Sequence, residues 1–246
     1  MKKCKRIIFL ASFLMLTMLM PVCATDNADV SININGLDNS SNSLKILFLL
    51  TLVAIVPSLL IMMSGFTRIV IVLSFVRNAL GLQQTPPNQV LVGLALFLTL
   101  FIMSPVLTQI NKEAYTPYSA GEITQEQAID KAMVPIRSFM LKNTNKQDLN
   151  LFISLSKMEK PKTHDDIPTE LVIPAFITSE LKRAFIMGFL IFIPFLVIDM
   201  VVSSVLMSMG MVMLPPVMIS LPFKLILFVL VDGWGLIVKS LITSFN

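Results

Sequence analysis

Few side chains in this sequence can do chemistry, and they lie in unusual places. Asp199, Lys224 and Asp232 interrupt long apolar runs. A charge at mid-bilayer costs about 2.5–3.5 kcal/mol on insertion scales, so such residues face a bundle interior or water. Two aspartates in such runs raise the chemistry of an intramembrane aspartyl protease, in which an acid and a carboxylate share a water. That chemistry uses Tyr-Asp and Gly-x-Gly-Asp settings, whereas Ile198 and Val231 precede these aspartates. Pairing with Lys224 or with partner helices is the favoured use of the acids. A small-solute or ion transporter with these three charges as a polar pathway is a rival, but the inverted repeats of such folds are not evident. His164 is the only histidine and cannot build a metal cluster. No Gly-x-x-x-x-Gly-Lys-Ser/Thr run is present to cradle a nucleotide phosphate. No catalytic, cofactor or metal site is expected, and the protein reads as non-enzymatic.

Methionine is the most unusual residue. Of the 17 in the chain, Met207, Met209, Met211, Met213 and Met218 fall within 12 residues around Gly210, Pro215 and Pro216. Methionine is unbranched, flexible and polarizable. The cluster reads either as apolar filler at a helix end or as a deformable constriction that excludes water by dewetting. If the loop is extended, Met209, Met211 and Met213 share one face, because alternate side chains point the same way.

These residues sit in a chain of 246 residues that is 55% hydrophobic and only 14% charged. Soluble domains carry about 25% charged residues, and the mean hydropathy here is +0.80. A soluble globule, a disordered chain and a basic nucleic-acid binder are poor fits. The formal charge of +4 includes Lys2, Lys3, Lys5 and Arg6; without them 15 basic residues face 15 acidic ones. Residues 1–24 read as a cleaved secretory signal, with that basic start, an apolar core over 7–20 and the box Val22-Cys23-Ala24. An uncleaved signal anchor is the alternative. Cleavage would remove Cys4 and Cys23, the only cysteines, and four methionines.

Residues 25–44 are rich in Asn, Asp and Ser and are expected to form a flexible exported arm. Residues 45–110 read as a first helical hairpin. Its first helix covers 46–80, with Pro57 as a kink and Gly81 as a C-cap; Thr85-Pro86-Pro87 offers an N-cap for a second span over 90–110. A 35-residue helix measures about 52 Å, against a hydrocarbon core of about 30 Å. It must break at Ser64-Gly65 or project from the bilayer. Residues 111–172 read as a small helical extracytoplasmic segment, with a capping box at Thr124 and Gln127 and helical spacing of Ile129, Met133, Ile136 and Met140. A short helix over 146–157 carries Leu149, Phe152 and Ile153. Phe139 and Phe152 are either private core or anchors between copies of the chain. Residues 173–246 form a second hairpin, with spans over 184–206 and 217–242 and the Met-rich loop 207–218 between them.

The expected fold is an all-α membrane protein of two long helical hairpins, about four apolar spans, with the small helical insertion between them. An exported N-terminus places Arg68 and Arg77 inside, as the positive-inside rule asks. It leaves Lys182 and Arg183 on the disfavoured side, beside Glu180.

Several runs closely resemble the FliP family: GFTRIVIVLS at 65–74, RNALG at 77–81, QQTPPNQ at 83–89, PAFITSEL at 174–181 with Gly188, and LPFKLILFVLVDGW at 221–234. The match extends from about residue 46 to the C-terminus. FliP is a membrane protein of the flagellar type III export gate, with injectisome counterparts; an exported arm is more typical of the flagellar branch. The resemblance implies a bacterial inner-membrane, multi-pass subunit of the flagellar basal body with an extracytoplasmic N-terminus. Several copies would form a pore with FliQ and FliR beside FlhA and FlhB, passing unfolded flagellar proteins. Membrane lipid is a further partner; nucleic acid and cofactors are not. It also implies a pore constriction at Met209, Met211 and Met213, with Val212 where relatives often have methionine, and contacts between subunits at Glu180.

Overall fold

A computed structural model describes residues 40–156, 166–211 and 213–245. The expected signal and most of the exported arm lie outside these residues, as do His164 and Val212. Residues 51–246 form one compact unit; of the separate unit 1–50, only the start of the first helix is described.

All regular structure among the described residues is helical. In chain order the helices are α1 (Ser40–Met62), α2 (Phe66–Ala79), α3 (Asn88–Ile110), α4 (Gln125–Asn143), α5 (Lys146–Leu155), α6 (Thr169–Ser208), α7 (Pro216–Leu230) and α8 (Gly233–Thr243). A π-helical turn at Asn111–Tyr115 and a last α turn at Thr116–Ser119 prolong α3.

Of the two alternatives for the overlong first helix, the break at Ser64 and Gly65 is present, so that α1 and α2 are separate. On α2 the fully buried residues Ile69, Val72, Leu73 and Val76 fall at i, i+3, i+4 and i+7, the stripe of a helix with one inward face. That stripe packs along α6 and α3 with Leu91, Ala95, Ala184, Phe228 and Leu241. Close approach of α2 to α6 requires Gly188, where an added Cβ would lie 2.5 Å from the Phe75 ring. A second cluster joins Met140 of α4 and Leu149 of α5 to Val172, Ala175 and Phe176 of α6.

Gly81 ends α2 as expected, at φ +77. Its N–H donates to the Asn78 carbonyl and that of Leu82 to the Arg77 carbonyl, closing a Schellman motif. The expected cap at Thr85 is corrected: Pro87 occupies the cap position and α3 starts at Asn88. Thr85 and Pro86 each precede a proline, which disfavours helical backbone at both. The Thr124–Gln127 capping box is present in both directions, at 3.3 and 3.1 Å.

Among the described residues two helices are long and apolar enough to cross a membrane, Asn88–Ser119 and Thr169–Ser208. The expected fourth span is not one straight helix: α7 and α8 meet at 64° across Val231 and Asp232 and count as one span only as a bent pair. The expected third span, 184–206, is the second half of the 40-residue α6. At 1.5 Å per residue α6 is about 60 Å long, twice a hydrocarbon core.

Candidate constriction loop and paired charges

The loop between α6 and α7, with the helix ends that flank it, presents its methionines outward. Met213 is 98% exposed, and Met207, Met209, Met211 and Met218 are exposed as well. The loop is tighter than the extended strand expected from the spacing. Gly210 sits at φ +74; its N–H donates to Met207 and that of Met211 donates to Leu206, a Schellman closure of α6. Met209 is thereby the C-cap of α6 (φ −84, ψ 2), not the first residue of an extended run. The Leu214 N–H donates back to Met211, and Pro215 and Pro216 start α7. The three methionines therefore share a loop tip, and the alternation argument does not apply to them. The cause is glycine, which reaches the left-handed region without a Cβ clash.

Below the tip, α6 and α7 are stapled by charge. The Lys224 ammonium donates to Asp199 Oδ2 at 2.6 Å and the Ser220 hydroxyl to Oδ1 at 2.5 Å. Ser220 and Lys224 lie one turn apart on α7, so both reach one carboxylate. Nine residues separate Asp199 from the end of α6, about 14 Å of helix. Lys224 is buried, while the Asp199 side chain keeps 29% of its surface open. That open edge faces a groove with Ser203, Ser204 and Met207. Asp199 thus pairs with a lysine and not with a second carboxylate.

Asp232 corrects an expectation. It is exposed, in a left-handed conformation (φ 50), at the bend between α7 and α8. Its carboxylate lies over Gly235 in the first turn of α8, an end of the helix that favours negative charge. Within this chain the acid stands at a helix break, and Lys224 pairs with Asp199 instead.

Glu180 is also placed differently from the expectation of contacts between subunits. It is fully buried within its own chain. Arg68 Nε donates to its Oε2 at 2.9 Å, and Arg68 Nη2 pairs with its Oε1. The remaining donor group, Nη1, reaches the Ser244 carbonyl at 2.9 Å and hydroxyl at 2.8 Å. The guanidinium lies 3.7 Å over the centroid of the Phe245 ring. Phe245 stacks in turn on Phe139 at 6.2 Å, and Phe139 meets Phe176 edge-on at 6.1 Å. Phe139 thus packs against α6 and the chain's own C-terminal end, and Phe152 packs against the second cluster. With no face of Glu180 left open, the Arg68–Glu180 pair holds α2, α6 and the end of α8 together inside one chain.

The roles of Arg68, Ser244 and Phe245 were missed by sequence reasoning. The available signal was Arg68, a cation in an apolar run with an acid in a second apolar run 112 residues away. Ser179, next to Glu180, accepts from the Asn145 N–H at 2.9 Å and donates to Asp148 at 2.8 Å, tying α5 to α6. Arg137 reaches the Thr169 hydroxyl at 2.9 Å and the Ile167 carbonyl, tying α4 to the start of α6.

The model of the FliP family matches residues 49–241. A flagellar biosynthetic protein FliP of Bacillus subtilis (strain 168) is 62% identical over 208 residues, covering 85% of this chain and 94% of the relative. One from Pectobacterium carotovorum is 54% identical over 211 residues, with 86% and 82% covered. Another from Aquifex aeolicus is 49% identical over 213 residues, with 86% and 89% covered.

Proposed function

The chain belongs to the FliP family, and from that premise we propose that it is a non-enzymatic membrane subunit of the flagellar type III export gate. Its relatives are flagellar biosynthetic proteins over 94% and 82% of their own length. Several copies assemble with FliQ and FliR, next to FlhA and FlhB, into the pore through which unfolded flagellar proteins leave the cell. The complex sits in the inner membrane at the flagellar basal body, with the signal removed and the N-terminal arm exported. The apolar helices form four spans in two hairpins, and residues 111–172 lie on the extracytoplasmic side.

The observation that carries the gate is the exposure of Met209, Met211 and Met213 at a loop tip held by the Asp199–Lys224 clamp. Thioether side chains have no strong hydrogen-bonding group to hold water, so a ring of them stays dry and resists ions. Their free rotation lets each swing aside for cargo, which branched side chains would do less readily. A rigid hairpin below a soft tip is what a seal for a passing chain needs. Glu180 and Phe139 contribute by fixing each subunit's own shape, on which contacts between copies depend. Phe152 remains the candidate anchor between copies.

Deleting the gene from the flagellated bacterium that encodes it tests this function. Loss of filaments and of exported flagellar subunits, restored by the gene in trans, is expected. Normal filaments in the deletion strain would overturn the assignment.

A further inference from the structure

We infer that the loop 207–218 is an oxidation site, at which conversion of its methionines to sulfoxides by a hydroperoxide opens the closed pore to water. The inference rests on the constriction proposed above. Its basis is the uneven accessibility of sulfur in this chain. Met207, Met209, Met211, Met213 and Met218 are all exposed, the densest group of exposed sulfurs, with Met62 and Met200 exposed elsewhere, whereas Met63, Met103 and Met140 are buried. Both cysteines lie within the first 23 residues, so among the described residues thioethers are the only oxidisable sulfur. Susceptibility on the sulfur oxidation ladder follows exposure, so the loop reacts before the core. A ring of several copies multiplies the five sulfurs around one axis.

The reaction balances without a further reactant. A sulfur lone pair attacks one peroxide oxygen, the O–O bond breaks and an S–O bond forms. The second oxygen leaves as hydroxide, or as alkoxide from an alkyl hydroperoxide, and takes the proton that the sulfur-bound hydroxyl releases, giving the sulfoxide and water or an alcohol. Sulfur loses two electrons and the peroxide gains them. The product is polar and chiral where the thioether was apolar. A sulfoxide oxygen accepts hydrogen bonds from water, so an oxidised ring wets and ceases to act as a dewetting barrier. Sulfoxide reductases reverse the change, which makes it a switch and not only a lesion.

The test uses assembled complexes reconstituted in vesicles and treated with hydrogen peroxide. Peptide mapping should show one-oxygen gain at the five loop methionines about tenfold or more ahead of Met63, Met103 and Met140. Small-solute permeability should rise severalfold in step, and reductase treatment should lower it again. A Met209→Leu, Met211→Leu and Met213→Leu complex should gain no permeability from peroxide. Equal oxidation of loop and core methionines would overturn the inference and leave the constriction reading intact. Selective oxidation without a permeability change, in complexes whose Met→Ala counterparts leak, would remove the switch but keep the seal. If neither the oxidised nor the Met→Ala complex leaks, the constriction reading itself falls.

Discussion

Arg68 holds Glu180 through both carboxylate oxygens, with Nε at 2.9 Å from Oε2 and Nη2 paired to Oε1, and neither side chain is exposed. The pair joins α2 to α6, and Ser244 and Phe245 complete its surroundings from the end of α8. Burying two ions is costly, and a pair of this kind adds little against a well-packed apolar alternative. Its force appears when one partner is removed.

Glu180→Ala should therefore destabilise each subunit by about 3–5 kcal/mol, because it leaves a buried guanidinium without its anion. Arg68→Met with Glu180→Leu should recover much of that loss. The check is thermal unfolding and protease resistance of detergent-solubilised protein, compared with the amount inserted in the membrane. Full subunit stability in Glu180→Ala with loss of oligomers alone would contradict an internal role.

The Asp199–Lys224 clamp should respond asymmetrically. Asp199→Ala strands a buried ammonium, whereas Lys224→Met leaves a carboxylate that is 29% open and still bonded to Ser220. Asp199→Ala should cost more, on the order of 2 kcal/mol more, since only the lysine lacks access to water. Protease cleavage within 207–218 should rise more in Asp199→Ala than in Lys224→Met. Equal cleavage in both would indicate that the clamp does not hold the loop.

Gly188→Ala places a Cβ about where the Phe75 ring already sits, 2.5 Å from its nearest atoms. Overpacking of this kind costs about 1–3 kcal/mol. Melting of the purified subunit should drop, and Phe75→Leu in the same chain should restore part of the difference. A Gly188→Ala protein that melts like the parent would show that α2 and α6 have room to separate.

The helical character, the Gly81 cap and the Thr124 capping box were all legible, because each depends on neighbours in sequence, and the break at Ser64 and Gly65 was legible as one of two alternatives. What was not legible depends on chain direction or on distant partners. The bend at Val231 and Asp232 carries one local signal, the turn dipeptide Asp232-Gly233, which the apolar length of the run outweighs. The buried status of Glu180 rests on Arg68, 112 residues away, and on the C-terminal Ser244 and Phe245. The loop's methionines were visible by type and spacing. Their arrangement was not, because the Gly210 closure of α6 replaces the strand-like alternation that the spacing suggests.

The central claim is that Met209, Met211 and Met213 form the seal, and its most direct test is solute conductance through assembled complexes. Substituting all three by Ala removes most of the apolar surface at the loop tip and widens the passage. Conductance per assembled complex should rise clearly above the parent, while Met→Leu keeps the seal closer to intact and slows export. Normal assembly of the Ala complex with conductance at the parent level would show that these methionines do not close the pore.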